Sequence, residues 1–180
     1  MLLVGALGLF VGCERQSPET TAPRDFDLEE QPAHESWGSE FYVSEDAVPV
    51  VVMTAPYTRQ YDYKDSTVTV LTSSETERVV ATIFDDSGAT SSTVTADEIR
   101  YMEQRQQFVA SGAVVVITET GERLETEQLN WDEESEMIYA PGFARIYTEK
   151  ENMQGYELEA AKDLSFYSMA RPTGVVTVVE

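Results

Sequence analysis

Apolar residues recur every second position along most of this chain. Ile99 and Tyr101, Val114 and Val116, Leu129 and Trp131, and Ala144 and Ile146 each stand two apart. That period places one face of an extended strand in a core, whereas a helix would repeat every three or four residues. The pattern then recurs as a block. Ala96, Ile99, Tyr101, Phe108, Ala110, Gly112 and Val114 reappear thirty positions later as Thr126, Leu129, Trp131, Ile138, Ala140, Gly142 and Ala144. Each block predicts two strands joined by a turn, and such a unit buries its apolar face only when neighbours stack on it.

The flanking segments extend the pattern. Arg78 to Phe84 is β-branched and ends at the turn-forming Asp85, Asp86, Ser87 and Gly88; Ser66 to Leu71 alternates Thr with Val. Both predict strands. Tyr57, Tyr61 and Tyr63 are expected to flank an irregular entry. After Ile146 a longer turn, Glu149 to Gln154, precedes Gly155, Tyr156, Glu157 and Leu158, so that Leu158 corresponds to Leu124 at an offset of thirty-four. No amphipathic helix is evident between Trp37 and Glu180. The predicted class is all-β, a serial antiparallel meander.

The amino terminus differs in kind. Met1 to Cys13 is uncharged and apolar, too short to span a bilayer as a helix, and ends in Phe10, Val11, Gly12 and Cys13. Residues 1–12 predict a signal peptide of lipoprotein type, and the small residue before Cys13 resembles a bacterial lipobox, which makes Cys13 the expected lipidation site. Cys13 is the only cysteine in the chain and has no disulfide partner within it. A signal peptide normally opens with basic residues, and here none precedes Arg15; a start upstream of Met1 is expected. Lipidation would hold the protein on a membrane surface, since each buried methylene contributes roughly 0.8 kcal/mol. Residues 13–40 are rich in Pro, Glu, Gln, Ser and Thr and predict a flexible acidic tether. His34, the only histidine, falls in it, which argues against a catalytic or metal-binding imidazole. Residues 41–180 remain for a single β domain.

Charge narrows the partners. The net charge is -21, from 33 acidic and 12 basic residues, and Lys64, Lys150 and Lys162 are the only lysines. Nucleic acid is not expected as a partner, because phosphate contacts need a basic face that releases counterions. Excess acid with scarce lysine matches work in concentrated salt, where screening removes self-repulsion. The sequence contains no GxSxG elbow, no phosphate-binding glycine loop, no Cys/His metal cluster and no EF-hand spacing. Pairs such as Asp132 with Glu133 and Asp97 with Glu98 are expected as turn and surface charges rather than as an acid and base. The expectation is a protein without enzymatic activity, cofactor or metal.

The short strands, the run Thr126, Leu129, Trp131, Ala140, Gly142, Ile146, the closing Gly155, Tyr156, Leu158, Ala160, Leu164, Phe166, and the amino-terminal anchor together resemble the LptC family of lipopolysaccharide transport proteins, related to LptA and to organic-solvent-tolerance domains. The resemblance spans roughly Phe41 to Ser168. It implies an open, twisted β-jellyroll in the periplasm, anchored more in the inner than the outer membrane, that receives lipopolysaccharide from the periplasmic domains of an inner-membrane ABC transporter and passes it to an LptA-like partner. The implied groove for the lipid A acyl chains would be lined by Val79, Ala81, Ile83, Ile99, Tyr101, Val114, Val116, Leu124, Leu129, Trp131, Ala144, Ile146, Tyr156, Leu158, Leu164 and Phe166. Read from the residues alone, the same set fills a closed core, as most inward strand residues do, and only the resemblance makes it a groove; with a closed core the protein is a structural or interaction lipoprotein of the envelope without lipid cargo. The run Val175, Val176, Thr177, Val178 and Val179 is either the edge that accepts the LptA-like partner by strand addition or an ordinary last strand.

Overall fold

The computed structural model of the chain describes residues 31–176. The expected signal peptide, Cys13, most of the tether, and Thr177, Val178 and Val179 lie outside the described residues. The described part is all-β, one antiparallel sheet of eleven strands: β1 (His34–Glu45), β2 (Val48–Tyr63), β3 (Ser66–Thr72), β4 (Val79–Phe84), β5 (Thr90–Ala96), β6 (Glu98–Met102), β7 (Gln107–Thr118), β8 (Arg123–Asp132), β9 (Met137–Tyr147), β10 (Glu151–Ala161) and β11 (Tyr167–Val176). A single turn of 3-10 helix, Glu103–Arg105, links β6 to β7.

The topology is the serial meander that the repeat predicts. β3 and β4 follow one another along β2. β6 and β5 lie against them in the same way and in turn pair with the two halves of β7. From β7 onward each strand pairs with the next, through β11. β1 pairs only with β2, and β11 only with β10, among the described residues. The roll is therefore open, with two edge strands.

Left-handed residues, register breaks and changes of strand partner fall near the middle of the long strands and align across the sheet into one crease. It passes Gly38 in β1, Pro56 in β2, the link 73–78 between β3 and β4, Asp97 between β5 and β6, Gly112 in β7, the register break between Thr126 and Asn130 in β8, Glu157 in β10 and Arg171 in β11. At Gly112 the backbone is left-handed (φ +79°), and a Cβ there would run into the Asp97 side chain. Glycine meets both demands at once. Arg78 ties the crease together: its guanidinium donates to the carbonyls of Gly112 (2.8 Å) and Ala113 (3.0 Å) and lies 3.3 Å from the Asp97 carboxylate.

Folding at the crease makes two facing layers. One holds β4, β5 and the adjoining halves of the long strands; the other holds β3, β6 and the remaining halves. Side chains of both layers form one continuous core, and the Phe41 ring reaches across to Tyr101, 6.0 Å between centroids. Opposite the crease, the turns of the two layers form the two lips of a mouth.

Four sequence expectations are corrected. β1 starts at His34, so residues 34–40 are strand rather than tether, and His34 opens that strand. Tyr57, Tyr61 and Tyr63 lie within β2, where their alternation is regular, not in an irregular entry. The expected long turn from Glu149 is short because β10 already starts at Glu151. The inward assignment of Tyr156 and Phe166 also fails, for reasons given below.

Candidate functional site

The interior is built from cross-strand rows. In the first layer Met53, Ala81, Val94, Val116, Leu124 and Ile146 are register partners on successive strands. In the second, Tyr101, Phe108, Trp131 and Ile138 line up in the same way, and their rings stack with centroids 4.5 Å and 4.7 Å apart. Alternation supplies this arrangement directly, because residues two apart share a face and neighbouring strands bring equivalent positions together.

Of the residues expected to line a groove, Val79, Ala81, Ile83, Ile99, Tyr101, Val114, Val116, Leu124, Leu129, Trp131, Ala144, Ile146, Leu158 and Leu164 are all buried in this one core. Tyr156 and Phe166 are not; they are 40% and 60% exposed. Glu157 takes a left-handed backbone (φ 53°) and the β9–β10 register shifts there, so Gly155 faces inward in place of Tyr156. Leu164 sits in the turn before β11, also left-handed (φ 57°), which turns Phe166 outward while Tyr167 and Met169 pack against the core. Sequence reasoning missed Met53, Val94, Phe108, Ala110 and Ile138 as lining residues, although the period-two signal marks them as plainly as the others.

The layers pack closely. Between them lies a cavity of about 30 Å³, bounded by Ala81, Ile83, Ser92 and Val94 of the first layer and Ile99, Phe108, Leu129 and Trp131 of the second. That volume admits a water or two, not an acyl chain. Two polar atoms in this lining, Ser92 Oγ and Trp131 Nε1, are buried with no hydrogen-bond partner among the described residues. Each such group costs about 1–3 kcal/mol when left unpaired.

Just outside, Trp131 also borders the mouth. A depression of about 260 Å³ is lined by Glu45, Asp46, Asp85 and Asp86 from one lip and Glu133, Glu136 and Lys162 from the other. Burial, then the facing charge of Glu45, raises the Glu133 carboxyl above its ordinary value of 4.5, while Lys162 opposes the shift. The Lys162 ammonium pairs with Glu136. Burial foremost, then Glu133 and Glu103, pushes the Tyr101 hydroxyl up to about 12. Farther along, the Tyr167 hydroxyl donates to Glu151 across the lips, and burial together with that bond raises it to about 12. The mouth thus has like charges on both lips and few links between them.

The remaining carboxylate pairs hold turns and surfaces. Asp132 accepts from the Ser135 amide and hydroxyl, both at 2.9 Å; Asp97 faces Arg78; Glu98 lies 2.7 Å from Arg100. At the far edge, Val175 and Val176 of β11 are 69% and 56% exposed. No helix of the described residues is long and apolar enough to cross a membrane. The chain matches no known family model, and no curated protein matches it in sequence.

Proposed function

We propose that the protein is a lipopolysaccharide export bridge: a membrane-anchored β-jellyroll that takes acyl chains between its layers and passes them to a second β-roll. The observation that carries this reading is the open meander, with an apolar interior running under all its strands and unpaired edges at β1 and β11. Edge strands with unpaired backbone groups are ready to accept a further strand. Strand addition at β11 would extend the interior into a neighbouring roll. Cargo then enters through the mouth, where repulsion between the lips lowers the cost of parting two packed layers. Lipidated Cys13 would hold the domain at the inner membrane, beside the ABC transporter that supplies the cargo and the energy.

The tight interior favours a second reading, an envelope lipoprotein with a closed core and no cargo. Photocrosslinking separates the two. A photoreactive residue at Val116 or Trp131, in cells exporting labelled glycolipid, is expected to capture lipid, with no adduct from the exposed Arg123. Absence of adducts at both inward positions in folded, anchored protein would leave the closed-core reading.

A further inference from the structure

Three residues bring polar groups to the lining of the cavity between the layers, Ser92, Trp131 and Lys162; the Lys162 ammonium is paired with Glu136, and the other two come from opposite sides. Ser92 lies on β5, 1% exposed, among Ile83, Val94 and Val116; Trp131 lies on β8, 7% exposed, in the aromatic row of the other layer. Both donors are buried beside the same small space, with no partner among the described residues. Both stand near the strand ends, so the cavity lies just inside the mouth. Buried hydroxyl and indole N–H groups are ordinarily paired, and Ala or Val at 92 and Phe at 131 would fill these places with no donor left over.

From this we infer that Ser92 and Trp131 form a polar anchor for an oxygen on the cargo: the carbonyl of an acyl ester or amide, at the junction between headgroup and chain. The inference rests on the cargo reading and narrows it, selecting acylated amphiphiles over alkyl ones. The geometry suits that junction. With the layers parted, a chain entering from the mouth would leave its headgroup among the lips and pass its first carbonyl between Ser92 and Trp131, which line the cavity from opposite layers. The Ser92 hydroxyl and the Trp131 N–H would each donate to that oxygen, while the methylenes behind it lie against Phe108, Ala110 and Leu129. A site built to hydrogen-bond an oxygen discriminates against an analogue lacking it, because its own donors are then left unpaired.

The test uses two neutral probes of equal chain length, 1-myristoylglycerol, which has the ester carbonyl, and 1-O-tetradecylglycerol, which does not. Affinities are read by displacement of a fluorescent fatty acid from the purified, folded protein. The parent is expected to prefer the ester by about fivefold or more, on the scale of a hydrogen bond or two. Ser92→Ala and Trp131→Phe should each reduce that preference, read as the ratio of ester to ether affinity within each variant. Ser92→Ala adds no bulk and removes an unpaired group, so it keeps the test decisive should Trp131→Phe fold poorly. Equal affinity of the parent for both probes overturns the inference but leaves the cargo reading intact, as does a preference that survives Ser92→Ala. Failure of both probes to bind overturns the cargo reading and the anchor with it.

Discussion

Gly112 concentrates two constraints in one residue: a left-handed backbone and contact with Asp97 where a Cβ would stand. Gly112→Val should destabilise the fold by more than the roughly 1–2 kcal/mol of the backbone term alone, read as a lower urea midpoint; an unchanged midpoint would show that the crease does not depend on it. Individual carboxylates set opposite pH responses. Glu133 is raised in the fold, so its ionisation costs stability above its folded value, and that cost is relieved as pH falls toward 4.5. Asp85 and Asp132 are lowered, chiefly by side-chain hydrogen bonds from Ser87 and Gln107, so their contribution is present above 3.8 and lost as pH falls through their folded values. Stability should rise from neutral pH toward about 4.5 and fall below about 3.8, and Glu133→Gln should flatten the upper limb of that profile. Most inward residues were legible from alternation. Tyr156 was not, since the left-handed turn falls on Glu157, a residue type that gives no warning of it.

Among the elements, β8 carries the most. Trp131 stacks on Phe108, closes the cavity and borders the mouth, so Trp131→Ala removes a large buried side chain from a packed row and should cost about 3–5 kcal/mol in unfolding free energy. Trp131→Phe, which keeps a ring in the row, should cost much less; equal losses would mean that stacking contributes little there. The strands themselves were legible because alternation and β-branched residues act locally. The thirty-residue repeat corresponds to β6–β7 followed by β8–β9, with Gly112 and Gly142 at matching places in β7 and β9. The starts of β1 and β10 were not legible. His34 to Glu40 and Glu151 to Gln154 are mostly polar, with Trp37 and Met153 as their large apolar residues, and they are strands because β2 and β9 offer them hydrogen-bonding edges.

For the whole molecule the dominant force beyond the core is charge. With a net charge of -21, and with Glu45 facing Glu133 and Glu122 facing Asp163 across the mouth, screening should stabilise the closed form. Thermal melting should move upward by several degrees between about 0.01 M and about 1 M sodium chloride, where the screening length falls from about 30 Å to about 3 Å. A melting temperature indifferent to salt would show that self-repulsion is not a term in stability. Alternation, the repeat and the turn residues determine, by themselves, an all-β serial meander with one apolar face, because those signals depend on neighbours in the chain. Tertiary structure alone decided that the sheet folds at a crease, that Ser92 and Trp131 meet one cavity, and that carboxylates confront each other at the mouth. These pairings join positions tens of residues apart, and they depend on left-handed turns at residues such as Glu157 and Leu164 that only packing enforces.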